Sequence, residues 1–295
     1  MQFKLGIDLG GTKIEGVILD SGGTVRFRDR VPTEQELGYD HILENIKKMY
    51  DWMVSKSAGG SHSFGLGTPG AISPKTGLMK NSNTQCLNGR RVKEDLEKLL
   101  GRTIEIQNDA NCFAMAEAMQ GAGKGYPLVF GVIMGTGCGG GIVHDGKVIT
   151  GPQAITGEWG HMTIDPDGPD CWCGSKGCVE RYISGGGLAE RHLALHGQPV
   201  AAEHIVEAYR AGDERAVTTM TGFFEAFGRA MANLVNILDP DVIVLGGGLS
   251  NVDELYSEGI RRVEKFVFSD SFETPIVRNT LGDSAGVIGA AHIGI

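Results

Sequence analysis

Between Gly157 and Glu180 the chain reads GEWGHMTIDPDGPDCWCGSKGCVE, and no other stretch restricts the possible folds as much. His161, Cys171, Cys173 and Cys178 fall within one segment that glycine and proline keep from forming long helix or strand. They are four soft or borderline donors, the number that a tetrahedral zinc ion takes. Gly174 and Gly177 allow the tight turn that brings Cys173 and Cys178 onto one ion. Four protein ligands leave no open coordination position, so the zinc is expected to be structural. Its expected task is to fix Glu158 and Glu180, which stand on either side of it. The ligand set and spacing argue against unconnected thiols.

Around that segment the chain has 295 residues, enough for two domains with a large core. Its 46 glycines follow no repeat unit, which predicts many tight turns and close backbone approaches to ligands. A net charge of −9 argues against a nucleic-acid partner. No apolar run is long enough to span a bilayer, and MQFKLGIDLG reads as a strand entering a glycine turn, not a signal peptide. Cys86, Cys112 and Cys138 are scattered, a usage that fits a reducing cytoplasm.

Residues 4–20, KLGIDLGGTKIEGVILD, predict strand, glycine turn, strand. Gly10 and Gly11 expose backbone N–H groups and Thr12 adds a hydroxyl, the chemistry of a phosphate cradle. The Walker pattern is absent, and a glycine hairpin alone also fits a plain β-turn. Asp8 at the mouth favours phosphates, because a carboxylate there holds Mg²⁺. The pattern returns at 130–146, FGVIMGTGCGGGIVHDG. Gly6, Gly10, Gly16 and Asp20 match Gly131, Gly135, Gly141 and Asp145 at a constant offset of 125. Register over four positions favours a duplicated α/β unit, with two lobes facing one cleft, over chance likeness of two hairpins.

Elsewhere, Ile42, Leu43, Ile46, Met49, Tyr50 and Met53 predict the core face of a helix over 39–56. FGLGTPGAIS (64–73) reads as a strand ending in a rigid turn. Asn81, Asn83 and Asn88 are either turn residues or partners for a polar ligand. A helix over 92–101 stops at Gly101. In TIEIQNDANCFAMAEAMQG (103–121) a strand meets a helix at Asn108–Asp109, the kind of crevice where open α/β sheets bind ligands. Read plainly, Asp109 is the helix N-cap, kept ionised by the helix dipole. Helices are expected over 185–195, 202–211 and 214–238, the last with Phe223, Phe227, Met231, Leu234 and Ile237 in the core. A buried strand over Val242–Leu245, a glycine turn at Gly246–Gly248 and a helix from near Asn251 follow. The tail GDSAGVIGAAHIGI predicts a small-residue helix packed on the first lobe.

Together, DLGGTK (8–13), GTPG (67–70), NDAN (108–111), GTGCGGG (135–141), GEWGH (157–161), CWCGSKGCVE (171–180) and LGGG (245–248) resemble the ROK family of sugar kinases, within the actin/hexokinase-like ATPase superfamily. The resemblance covers essentially the whole chain. It implies an α/β, two-lobed actin/hexokinase-like (ribonuclease H-like) ATPase fold with a duplicated βα unit and a cleft between lobes. The small lobe would comprise 1–120 joined by the C-terminal helix 283–295, and the large lobe 121–282. KNSNTQCLNG (80–89) and the segments around 236–256 and 272–287 resemble the fructokinase/mannokinase branch. NCFAMAEA and YPLVFGVIMGTG also resemble the N-acetylglucosamine kinase branch. The expected activity is ATP-dependent phosphorylation of the 6-hydroxyl of fructose, and of mannose or glucose, with N-acetylglucosamine as the alternative.

The resemblance implies roles position by position. Asp109 is the base for the sugar's 6-hydroxyl. Asn108, Glu158, His161 and Glu180 bond its other hydroxyls, joined by Asn83 and the backbone near Gly70 and Ala71. His161 would serve zinc with one ring nitrogen and the sugar or its shell with the other. Gly10, Gly11, Thr12, Lys13, Gly135, Thr136 and Gly137 hold the ATP phosphates, Asp8 positions Mg²⁺, and Gly247 and Gly248 lie against the adenosine. By analogy the chain is a homodimer, with no nucleic-acid or membrane partner. Two other classes are weighed against the kinase. A sugar-responsive repressor would carry an extra helix-turn-helix domain, whereas here the phosphate strand begins by Phe3. A partner-moving ATPase would have no use for the Asn108–Asp109 pair and the two glutamates.

Overall fold

The computed structural model describes residues 2–57 and 60–295. In chain order the elements begin with β1 (Phe3–Leu9), β2 (Lys13–Leu19), β3 (Val25–Pro32), α1 (Tyr39–Lys56), β4 (His62–Thr68), β5 (Ala71–Ile72) and β6 (Met79–Lys80). Next come α2 (Val92–Leu100), β7 (Glu105–Asn108), α3 (Asp109–Gln120), β8 (Leu128–Met134), β9 (Cys138–His144) and β10 (Lys147–Val148). The chain ends with α4 (Glu180–Ile183), α5 (Gly185–His196), α6 (Ala202–Arg210), α7 (Glu214–Leu238), β11 (Val242–Gly246), α8 (Glu258–Phe266), β12 (Ile276–Arg278) and α9 (Ala285–Ile293).

Two five-stranded sheets carry the molecule, ordered β3-β2-β1-β4-β7 and β10-β9-β8-β11-β12. In each, a three-stranded antiparallel meander leads into two parallel strands. The strand order repeats as the glycine register predicts, and the result is the actin/hexokinase-like fold. The chain divides into two compact units. The first is Met1–Pro127, Gly141–Thr156 and Thr280–Ile295; the second is Leu128–Gly140 and Gly157–Asn279. Residues 141–156, expected in the large lobe, cluster with the first unit instead. Their backbone explains it, since Gly141 lies so close to Ala110 and Asn111 of α3 that a side chain would meet them at 2.7–2.9 Å.

The first core lies between its sheet and α1 and α2, with Ile7, Leu9, Ile42, Ile46, Met53, Phe64 and Leu96 buried together. The predicted face of α1 is buried along its whole length. On the other side of the sheet α9 packs on β1, β4 and α3. That approach needs glycine, because a methyl on Gly289 would overlap the Cys112 carbonyl of α3. In the second unit Phe223, Phe227, Met231 and the strand Val242–Leu245 are buried.

Three local expectations change. Ile237 is 80% exposed, because it follows the outward-facing Asn233 by one helical turn while Leu234 and Val235 hold the buried arc. No α-helix begins at Asn251; two 3-10 turns, Gly248–Asn251 and Asp253–Tyr256, come before α8. Asp109 is not the cap of α3: Asn108 is, its side chain accepting the Asn111 N–H. No helix among the described residues is long and apolar enough to cross a membrane.

Candidate functional site

In the first unit, β1, β4 and β7 run parallel, with Asp8 beside Gly67 and Thr68 beside Asn108. Their carboxyl ends therefore deliver Asp8, the Thr68–Gly70 turn and Asn108–Asp109 to one sheet edge. The turn is pinned there by the Thr68 hydroxyl, which donates to the Gly70 carbonyl at 2.9 Å. Asn83, exposed, is tied to the same turn through its N–H to the Pro69 carbonyl at 3.4 Å. Gly70, Ala71, Asn83, Asn108 and Asp109 are thus brought together as predicted residues of one edge.

The two aspartates are electrostatically coupled. Burial first, then the charges of Asp109 and Glu15, push Asp8 up to about 7 against the weaker pull of Lys13. Asp109 is also raised, again by burial, although its own backbone and the Ala110 N–H pull the other way. Helix-terminal N–H groups alone would keep Asp109 acidic, and the surrounding protein outweighs them. Asp109 is open to water on one side and surrounded by protein on the others, so its accessible surface coexists with strong desolvation. The mutual repulsion falls on Asp8, the more enclosed of the pair, because only one of two neighbouring carboxyls has to keep a proton. The Asp8 carboxylate fits between Gly67 and Gly286, where side chains would meet it at 3.1 and 2.7 Å. Gly286 was invisible as a site residue, since nothing in the tail's small-residue pattern says which glycine faces a carboxylate.

The first glycine turn closes with Gly10 N–H on the Lys13 carbonyl at 2.9 Å, and the Thr33 hydroxyl braces Gly10 at 2.7 Å. Gly11 and Thr12 form its tip. Lys13 pairs with buried Glu15 at 3.6 Å, but Arg28 and Arg30 hold that carboxylate more closely, at 2.5 and 2.8 Å. Lys13 is the loosest of the three partners and the most readily transferred to a phosphate.

In the second unit the donor atoms of His161, Cys171, Cys173 and Cys178 all lie within 4.8 Å of one another. His161 Nδ1 is 3.7 Å from Cys171 Sγ, and Cys173 Sγ is 3.6 Å from Cys178 Sγ. Thiolate ligands about 2.3 Å from a tetrahedral ion stand roughly 3.7 Å apart, so the His161–Cys171 and Cys173–Cys178 pairs already stand at the spacing that a soft divalent metal takes. Gly174 and Gly177 both have positive φ, as the tight turn requires. The Ser175 N–H pulls the Cys173 thiol down to about 7, toward the thiolate that binds metal. Trp159 is buried and donates to the Gly139 carbonyl at 3.1 Å, which seats the Trp159–His161 turn, with Glu158 as its leading residue, on β9.

Glu180 opens α4 two residues after the last cysteine. Its Oε2 accepts the Cys138 N–H at 2.9 Å and its Oε1 accepts the Trp172 indole N–H, also at 2.9 Å. Gly137 makes the first contact possible, since a side chain there would stand 2.7 Å from Oε2. The second glycine turn is bonded to α5, with Gly185 N–H on the Gly135 carbonyl at 2.7 Å and Gly186 N–H on that of Thr136 at 3.2 Å. Gly135, Thr136 and Gly248 line a cavity of about 730 Å³ with Ala189, Val206 and Leu249. Its volume and mixed lining suit a nucleotide. Gly247 lies outside the lining, with φ +78° and its α-carbon packed on Met134. The wall also includes Glu203, Glu207, Arg210 and Asn251, which sequence patterns did not single out because each stands on an ordinary-looking helix or turn.

The ROK family pattern matches residues 4–294. The chain is 36% identical to an N-acetyl-D-glucosamine kinase of Escherichia coli O1:K1, over 98% of each chain. Its fold matches a ROK hexokinase from Thermus thermophilus with a TM-score of 0.89, at 32% identity over 99% of this chain and 97% of that one. A ROK family glucokinase from Streptomyces griseus, in complex with glucose and AMPPNP, matches with a TM-score of 0.77 at 29% identity, covering 99% of both.

Proposed function

The chain belongs to the ROK family and is a sugar kinase, and we propose that it phosphorylates the 6-hydroxyl of N-acetyl-D-glucosamine with ATP. The observation that carries the acceptor is the 36% identity to N-acetyl-D-glucosamine kinases along 98% of both chains. The fructose expectation rested on scattered segments, and whole-chain likeness favours the amino sugar instead.

Phosphoryl transfer asks for alignment, charge neutralisation and one base. Asp109 is that base. Its pKa, raised by burial, makes it a better proton acceptor than an ordinary aspartate. As the sugar's 6-oxygen bonds to the γ-phosphorus, the bond to the β,γ-bridging oxygen breaks, ADP leaves and the hydroxyl proton passes to Asp109. Asn108, Asn83 and the backbone at Gly70 and Ala71, with Glu158, His161 and Glu180, pair the remaining hydroxyls. Gly10–Lys13 and Gly135–Gly137 hold phosphates through backbone N–H groups. Gly248 and the cavity walls take the adenosine, with Gly247 keeping the backbone low enough for it to enter. Asp8 would hold Mg²⁺, which would supply neutralisation of the phosphate charge. His161, Cys171, Cys173 and Cys178 would hold a structural zinc, which would fix the segment that carries Glu158 and Glu180.

An acceptor panel tests the proposal, with N-acetylglucosamine, glucose, mannose and fructose assayed with ATP and Mg²⁺ by ADP release. N-acetylglucosamine is expected to give the highest kcat/KM. A higher value for fructose would overturn the acceptor, and no sugar-dependent ADP release would overturn the kinase assignment.

A further inference from the structure

Trp172 stands between two of the four metal ligands and is 70% exposed. An indole left so open gives up most of the burial energy an aromatic offers, so packing does not account for it. It is nevertheless fixed at two points. Its N–H donates to Glu180 Oε1 at 2.9 Å, and its ring meets the His161 ring edge-on, with centroids 4.8 Å apart and planes at 88°. Glu180 is thereby clamped from two directions, by the Trp172 indole on one oxygen and the Cys138 N–H on the other.

Resting on the sugar-kinase reading above, we propose that Trp172 is a positioning residue that sets sugar affinity by holding Glu180 in its hydroxyl-accepting pose. A glutamate has several rotatable bonds, and freezing them on binding weakens affinity. Each carboxylate oxygen keeps a second lone pair after accepting one donor, so the clamp leaves acceptors for a polyol. The backbone of Trp172 is held by Cys171 and Cys173 on either side. The metal segment therefore acts on the sugar through the indole, without a ligand position of its own.

The test compares the intact enzyme with Trp172→Phe, which keeps a ring against His161 and loses the N–H, and with Trp172→Leu, which loses both. Metal content and melting temperature are measured for each, with initial rates over N-acetylglucosamine and ATP. Intrinsic fluorescence is titrated with sugar alone; the other tryptophans are Trp52 in the first unit and buried Trp159. Trp172→Phe should keep metal and melting temperature while KM for the sugar rises about tenfold, the loss of a hydrogen bond to a charged group. KM for ATP should stay the same, and the sugar-dependent fluorescence change of the native protein should vanish. Trp172→Leu should raise sugar KM at least as far.

An unchanged sugar KM in both variants, an equal rise in KM for ATP, or loss of metal from Trp172→Phe would overturn the proposal. The first of these in an otherwise active enzyme removes Trp172 alone. A native protein that phosphorylates no hexose removes the functional reading itself.

Discussion

The parallel strands β1, β4 and β7 of the first sheet end at Leu9, Thr68 and Asn108, and their counterparts β8, β11 and β12 in the second end at Met134, Gly246 and Arg278. The strand order is the same and the chemistry delivered is different. At the first edge Asp8 and Asp109 are both pushed toward holding a proton. At the second, glycines open onto a cavity of about 730 Å³, and the carboxylate nearest the turn, Glu180, is held by two donors. A duplicated frame fixes where strands end; the residues after each end decide what is done there.

Breaking the first edge should have the largest effect. Asp109→Asn keeps the shape of the side chain and removes the proposed base, so kcat should fall by about 10²–10⁴-fold with little change in sugar or ATP affinity. A coupled ADP assay measures it, and near-normal turnover would take Asp109 out of the base role. Next comes the zinc proposed for the second unit. Stripping it with a chelator, or Cys173→Ser, should remove zinc by elemental analysis, lower the melting temperature and weaken sugar binding by about 100-fold. ATP binding should be less affected, because none of the four ligands lines the cavity. Third, Ala189→Trp puts a large side chain into the cavity proposed for the nucleotide and should raise KM for ATP about tenfold or more while sugar binding alone is retained. Equal losses for both substrates would show that the two edges are not separable.

What sequence could and could not foresee follows the same division. Repeated glycine register foretold twin hairpins, and periodic apolar residues foretold α1, because both are local patterns with a fixed period. The cluster of candidate metal ligands was legible because four donors crowd into eighteen residues, from His161 to Cys178. Sequence alone places the cap of α3 one residue late, since Asn and Asp cap equally well and sit side by side. Trp172, Gly286 and the cavity wall from Glu203 to Arg210 were not foreseen. Their roles depend on what lies across space from them, and no spacing along the chain records that.

The smallest expected effect distinguishes the edges by pH. In the ligand-free protein Asp8 is raised to about 7, chiefly by burial and then by the charges of Asp109 and Glu15. Its native form therefore binds more protons than the unfolded chain between the ordinary carboxylate range and pH 7. Stability supplied by the protonated group is fully present below the unfolded pKa and is lost as pH rises through 7. Binding of Mg²⁺ with ATP has the opposite preference, since the cation favours the ionised form. At pH 6 about one Asp8 in eleven is ionised and at pH 8 about ten in eleven, so affinity for ATP with Mg²⁺ should rise about tenfold between them. Titration calorimetry at the two pH values, in buffers of different ionisation enthalpy, should also register proton release on binding at pH 6. Asp8→Asn should bind weakly at both values and release no proton. Sugar binding measured without nucleotide does not call on Asp8, so it should change less over the same interval. A pH-dependent sugar affinity that persists in Asp8→Asn would mean that the titrating group lies elsewhere, and the contrast between the two sheet edges would fail on this count.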